Sequence, residues 1–133
     1  MIEKIISKLC NARFGSTRTT ILIGKYAIKI PSFVEYRLFL YGLLGNLQEK
    51  EFWDGLPDSR DHMCPVLFSF PGGFFNIMAR AEPVTMEQFL IYADDWYQEA
   101  KAYSIPVECK MDSWGYVDGK LVVIDYGGGG FSA

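Results

Sequence analysis

What the chain has little of narrows its class first. It holds three cysteines, Cys10, Cys64 and Cys109, an odd number with no CxxC pair, which argues against a disulfide scaffold. The single histidine, His62, sits in a polar stretch without cysteine spacing around it, so no metal site is built on it. The cysteines read as small buried hydrophobes; Cys109 lies in a polar cluster where Lys110 is its one basic neighbour. Basic residues are scattered, and 13 of them against 16 acidic ones give a formal net charge of -3. That excludes the phosphate-neutralising surface of a nucleic-acid binder. No apolar run nears membrane-spanning length, and the opening MIEKIISKLC is amphipathic rather than a secretory leader. The setting expected is therefore reducing and cytoplasmic, without a membrane. Internal repeats, low-complexity tracts and linkers are also missing.

What is present is a core. Half of the 133 residues are hydrophobic and 16% are aromatic, enough for one self-contained domain and too much for disorder. Ile2, Ile5, Ile6 and Leu9 recur at helical spacing and predict a short helix over Met1–Asn11. Phe14–Arg18 reads as a polar turn. Thr19–Ile23 and Tyr26–Ile30 read as strands around Gly24-Lys25. Ser32 is the expected N-cap of a long helix over Phe33–Trp53, bent at Gly42 or Gly45. A loop follows over Asp54–Met63. Pro65–Phe70 and Phe74–Ala79 flank a Pro-Gly-Gly turn, and a second helix is expected over Met86–Tyr103. After an irregular stretch, Trp114–Val117 and Lys120–Ile124 flank Asp118-Gly119, a strong hairpin dipeptide. Hairpins with interspersed helices predict α+β with antiparallel sheets, not a doubly wound parallel sheet.

Four features along this order could carry chemistry. Lys29 stands in the middle of the apolar strand AIKI, costly to bury unless an anion meets its ammonium. The following helix offers Glu35, Glu49 and Glu51 as partners. A polar cluster, Glu108-Cys109-Lys110-Met111-Asp112-Ser113, lies between the second helix and the last hairpin. Finally, the strand VVI delivers Asp125 into the turn Asp-Tyr-Gly. Each feature taken singly is also what an edge strand, a solvated helix face, a polar loop or a strand end contains.

Their order resembles the protein-kinase-like fold over roughly Phe14–Gly127. In that family a strand lysine contacts nucleotide phosphates and pairs with a helix glutamate. A catalytic loop reads D-x-K-x-x-N, and a D-F-G turn supplies a Mg²⁺ carboxylate. The resemblance implies an antiparallel N-lobe-like sheet with a long helix, then a reduced C-lobe of one helix and a β-hairpin. It implies Lys29 and Glu49 at the phosphates, with Glu35 as the other choice, and Arg80 and Ala81 in the segment that covers the adenine. It implies Glu108 as base with Lys110 beside it, and Asp125 with Asp112 or Ser113 on the metal. ATP and Mg²⁺ are the cofactors implied. The order also resembles small kinase-like proteins of phages and prophages.

The chain departs from the family at three places. ECKMDS replaces D-x-K-x-x-N, with Glu in place of Asp and Ser in place of Asn. FGSTRTT holds one glycine where the family has several. Six residues follow Gly127, leaving no room for an activation segment or a peptide-binding lobe. Three functions are therefore expected in competition. One is a nucleotide-binding pseudokinase with a protein partner. Another is a phosphotransferase completed by oligomerisation or substrate. The last is an interaction module that binds no nucleotide, with Phe52, Trp53, Phe74, Phe75, Trp96 and Trp114 as the aromatics available to a surface patch.

Overall fold

A computed structural model describes residues 11–14 and 17–127 of the chain. The protein is α+β with antiparallel sheets, as the hairpin pattern predicts. A five-stranded sheet runs in the order β1-β2-β3-β5-β4, from β1 (Asn11–Phe14), β2 (Arg18–Ile23), β3 (Tyr26–Pro31), β4 (Val66–Ser69) and β5 (Asn76–Ala79). Helix α1 (Tyr36–Gly55) connects β3 to this sheet's second half. A three-stranded sheet follows, from β6 (Glu82–Pro83), β7 (Trp114–Val117) and β8 (Lys120–Val123), with helix α2 (Met86–Ala102) inserted between β6 and β7.

Local chemistry accounts for the boundaries. Thr85 caps α2 with a full capping box: its hydroxyl accepts from the Gln88 N–H, and the Gln88 side chain accepts from the Thr85 N–H. Asp118 and Gly119 both adopt positive φ, at 52° and 76°, the conformation a two-residue hairpin loop requires. Helix α1 ends where Pro57 restricts Leu56 to non-helical angles.

Several expectations need correcting. Asn11 belongs to a strand, not to a helix; the rest of the helix predicted over Met1–Asn11 lies outside the described residues, as do Cys10 and the glycines after Gly127. Phe14 and Arg18, expected in a turn, are strand residues. Ser32 does not cap α1: the cap position falls to Glu35, without a side-chain bond, and Ser32 Oγ instead accepts from the Val34 N–H at 3.4 Å. Helix α1 runs on as one element through Gly42 and Gly45. The polar segment before β4 contains a 3-10 turn over Pro57–His62, and strand β6 lies where an entry into the second helix was expected.

The main apolar core gathers Met63, Cys64, Val66, Met78, Val84, Ala100, Ile105, Trp114, Val122, Val123 and Tyr126. Phe52, Trp53, Phe89 and Trp96 pack against it. Of the aromatics considered for a surface patch, Trp114 is therefore buried, and Phe74 is the one that is exposed. A backbone bond from the Cys64 N–H to the Val123 carbonyl at 2.8 Å ties the segment before β4 to β8. This link, with the bond from the Tyr126 hydroxyl to the Cys64 carbonyl at 2.7 Å, fixes residues 124–127 beside α1.

Candidate functional site

Strand period places the site. In β3 the buried positions are Ala27, Lys29 and Pro31, so Lys29 points to the covered face of the sheet rather than to water. Register aligns its neighbours on that face: Arg18 opposite Pro31, Thr20 opposite Lys29, Leu22 opposite Ala27, and on the other side Asn76 opposite Lys29 and Met78 opposite Ala27. The covered face is thus apolar at one end and polar at the other, where Arg18, Lys29 and Asn76 stand together.

Helix α1 answers that polarity. Its buried residues are Gly42, Gly45, Asn46 and Glu49, spaced as one helical stripe. Asn46 donates to the Lys29 carbonyl at 3.1 Å and to the Gly73 carbonyl at 2.9 Å. Asn76 in turn donates to the Asn46 carbonyl at 2.9 Å and has its own oxygen bonded by the Ser69 hydroxyl at 2.7 Å.

Glu49 is the centre. It is fully buried and accepts from Lys29 at 3.0 Å on each oxygen, and from Arg18 at 2.9 and 3.3 Å. The Tyr126 N–H adds a further bond at 3.1 Å. Lys29 spends its remaining donor on the Ile124 carbonyl. Arg18 reaches onward to Asn46 at 3.0 Å and to Asp125 Oδ1. Every buried side-chain nitrogen and oxygen among the described residues has a partner.

The close approach of residues 124–127 to α1 depends on Gly127. A Cβ there would lie 2.2 Å from the Gly45 carbonyl oxygen and 2.9 Å from Glu49 Cβ, so no side chain fits. The Asp-Tyr-Gly turn is consequently held at three points, one from β2 and two from α1. Asp125 meets Arg18, the Tyr126 amide meets Glu49, and Gly127 lies against Gly45.

Electrostatically the cluster is balanced: two cations, Arg18 and Lys29, face two anions, Glu49 and Asp125. Burial alone would raise the Asp125 pKa, but the charges of Arg18 and Lys29 and the Arg18 hydrogen bond hold it below the usual carboxylate range. Burial would likewise lower that of Arg18, yet Glu49 and Asp125 keep the guanidinium firmly charged. Asp125 differs from its partners in one respect that matters below: its side chain is 53% exposed, while that of Arg18 is 8% exposed.

The other site residues expected from the sequence lie apart from this network or at its rim. Glu35 and Glu51 are exposed and take no part in it. Arg80 turns to the β2–β3 hairpin, where its guanidinium bonds the Gly24 carbonyl at 3.1 Å, and Ala81 follows in the link to β6. Glu108 and Lys110 bond each other at 2.7 Å, both well exposed, and that bond raises the Lys110 pKa, with smaller contributions from Asp112 and Asp125. Asp112 is exposed, whereas Ser113 is buried and its carbonyl accepts from the Ile124 N–H at 2.8 Å. Cys109 is exposed, against expectation, because the polar loop leaves it uncovered; Cys64 is buried, and burial pushes its thiol up to about 12.

A resident divalent cation does not fit this donor set. No group of three or more His, Cys, Asp or Glu side chains that could hold one occurs among the described residues, and Oδ1 of Asp125 is bonded by Arg18. A separate groove of about 490 Å³, lined by His62, Trp96, Glu99, Trp114 and residues of β8, includes no member of the charged cluster.

Sequence reasoning missed Arg18, Asn46 and Tyr126. Arg18 had a signal: it precedes the TTILI run by one residue, so it continues the period that buries Leu22. Searches against protein-family models and against curated proteins find no match to the chain. Among the described residues no helix is long and apolar enough to cross a membrane.

Proposed function

We propose that this chain is a kinase-like nucleotide-binding domain that acts by binding rather than by phosphoryl transfer. The observation that carries the reading is the buried Lys29–Glu49 pair, 3.0 Å on each oxygen, held beside an Asp that leaves β8. A strand lysine fixed by a helix glutamate is a cation kept in one place, which is what binding a phosphate chain needs. In this reading ATP or ADP lies against Lys29 and Arg18, with the backbone around Arg80 and Ala81 beside the base.

Support for the binding-only part comes from the polar loop. Glu108 stands where the family has Asp, one methylene longer, and its Oε2 is paired with Lys110 at 2.7 Å. The Lys110 ammonium is balanced by the same bond.

Thermal denaturation with millimolar ATP or ADP, in the presence of Mg²⁺, tests the reading. A ligand at 100 times its Kd stabilises the folded state by about 2.7 kcal/mol, which is several degrees in midpoint. Lys29→Ala should abolish the rise. No shift with wild type at millimolar nucleotide ends the claim.

A protein partner is the second component, and α1 favours it. Its stripe of Gly, Asn and Glu faces the sheet, and although Phe52 and Trp53 near its end pack on the core, a row of apolar side chains earlier in the helix faces out: Tyr36 is 69% exposed, Leu40 49%, Leu44 41% and Leu47 42%. A protein offering a complementary apolar surface is the occupant this face suits. Leu40→Gln with Leu44→Gln should leave folding intact while abolishing any complex; a complex that survives both places the interface elsewhere.

A further inference from the structure

Arg18 is buried, charged and directed at the same carboxylate that the resemblance assigns to a metal. Its bonds fall into two kinds. Those to Asn46 and Glu49 are internal and fully covered, and they fix the guanidinium in place. The bond to Asp125 is different, because that side chain is 53% exposed. One face of a fixed guanidinium is therefore held by a replaceable anion.

We infer that Arg18 does the work of the divalent cation. The site recognises the phosphates of a nucleoside di- or triphosphate without metal, and the Asp125 carboxylate is a stand-in anion that the incoming phosphate displaces. The inference rests on the nucleotide reading above and specifies its cofactor requirement. Its physical basis is that guanidinium and phosphate match in charge, and the Nη2–H that Asp125 vacates donates a charge-assisted bond to a phosphate oxygen. Charge balance agrees. With Asp125 swung to solvent, Arg18 and Lys29 face Glu49 alone, leaving one net positive charge for the phosphate. A Mg²⁺ ion brought in on the nucleotide would instead have to compete with Arg18 for Asp125.

The two schemes give opposite predictions for one substitution. If Asp125 holds a metal, Asp125→Asn abolishes binding. If Asp125 is a stand-in for phosphate, Asp125→Asn removes a competitor and binding tightens, by about twofold to fivefold for a half-exposed ion pair. The experiment is calorimetric titration of the whole chain with ATP, in excess EDTA and in excess Mg²⁺, for wild type, Asp125→Asn and Arg18→Gln. Wild type is expected to bind equally well in both buffers, Asp125→Asn to bind more tightly in EDTA, and Arg18→Gln to lose about tenfold or more. Binding that needs Mg²⁺, or that Asp125→Asn abolishes, overturns the inference and leaves the nucleotide reading standing. Absence of binding by wild type in either buffer overturns both. Because Asp125 is largely exposed, its Asn variant keeps the test decisive even if Arg18→Gln fails to fold.

Discussion

Replacing Glu49 by Gln changes neither the volume nor the shape of the buried side chain, only its charge and half of its bonding. The carboxylate accepts five hydrogen bonds, two from Arg18, two from Lys29 and one from the Tyr126 amide. An amide keeps one accepting oxygen and turns an NH₂ toward donors. The cluster, neutral in the native protein, is left with one positive charge in excess. Removing one partner of a buried ion pair costs about 3–5 kcal/mol. Asp125 still offers Arg18 an anion, so the lower figure, about 3 kcal/mol, is the expected loss. Against a total stability of about 5–15 kcal/mol this is a large fraction. The assay is urea unfolding followed by far-UV circular dichroism, where the midpoint should fall at unchanged slope. The thermal midpoint should drop by roughly 10 °C. As a control, Lys29→Met with Glu49→Met removes both charges and restores neutrality, and it should be more stable than Glu49→Gln alone. A loss below about 1 kcal/mol for Glu49→Gln, at unchanged slope, would refute the view that this carboxylate organises the site.

Four further outcomes are expected. Gly42→Ala places a Cβ 2.5 Å from the Thr17 carbonyl oxygen and 2.7 Å from Pro31 Cα, so it should destabilise by about 1–3 kcal/mol, while Gly55→Ala, with nothing within 4 Å, should be neutral or stabilise by up to about 1 kcal/mol; paired urea curves decide. Tyr126→Phe removes the donor to the Cys64 carbonyl in a fully buried position and should cost about 1–3 kcal/mol by the same assay. Because the folded-state pKa of Asp125 is depressed, its contribution is present above the ordinary carboxylate pKa and is lost as pH falls below it; the difference in midpoint between wild type and Asp125→Asn should shrink below about pH 4, and a difference that grows there contradicts the assignment. Peptide mapping after brief alkylation should find Cys109 modified and Cys64 protected, since one thiol is exposed and the other is buried and held protonated.

The elements legible in the sequence were those with local signals. Thr85 with Gln88 marks the start of α2, and Asp118-Gly119 marks the last hairpin, because each residue's own backbone preference selects the geometry. Strand β1 was not legible: NARF has no alternation and is a strand because β2 pairs with it. Strand β6, two residues long and ending in a proline, exists by the same tertiary pairing, here to β7. In the site, Lys29 was visible because a charge inside an apolar strand is conspicuous. Glu49 was chosen over Glu35 only because its separation from Lys29 is about that of the pair in the family that the chain resembles. Arg18 was hidden in a stretch that reads as polar turn, and its one signal, the strand period it shares with Leu22, lies one residue outside the run read as strand.

Helix α1 shows why hydrophobic patterning alone misleads here. Its sequence is rich in Leu, Phe and Tyr, and the usual inference buries them. The covered face of the five-stranded sheet, however, ends in Arg18, Lys29 and Asn76, and a leucine stripe laid on those groups would leave two cations and an amide without partners. Each unsatisfied neutral group costs about 1–3 kcal/mol, and an unpaired buried charge more, comparable to or above what burying a leucine contributes. The polar stripe Asn46–Glu49, with glycines at 42 and 45 for close approach, is thus the face that must turn inward. The leucines are then exposed as a consequence. The site and the apolar outer face are therefore one feature seen from two sides. A substitution such as Glu49→Leu, which weakens the demand for a polar stripe, should destabilise the site and leave the outer leucines more protected than in the native protein. Cysteine-scanning accessibility at positions 40, 44 and 47 measures that directly. Unchanged exposure of these positions in the Glu49→Leu background would mean that the charge at Glu49 does not set the orientation of the helix.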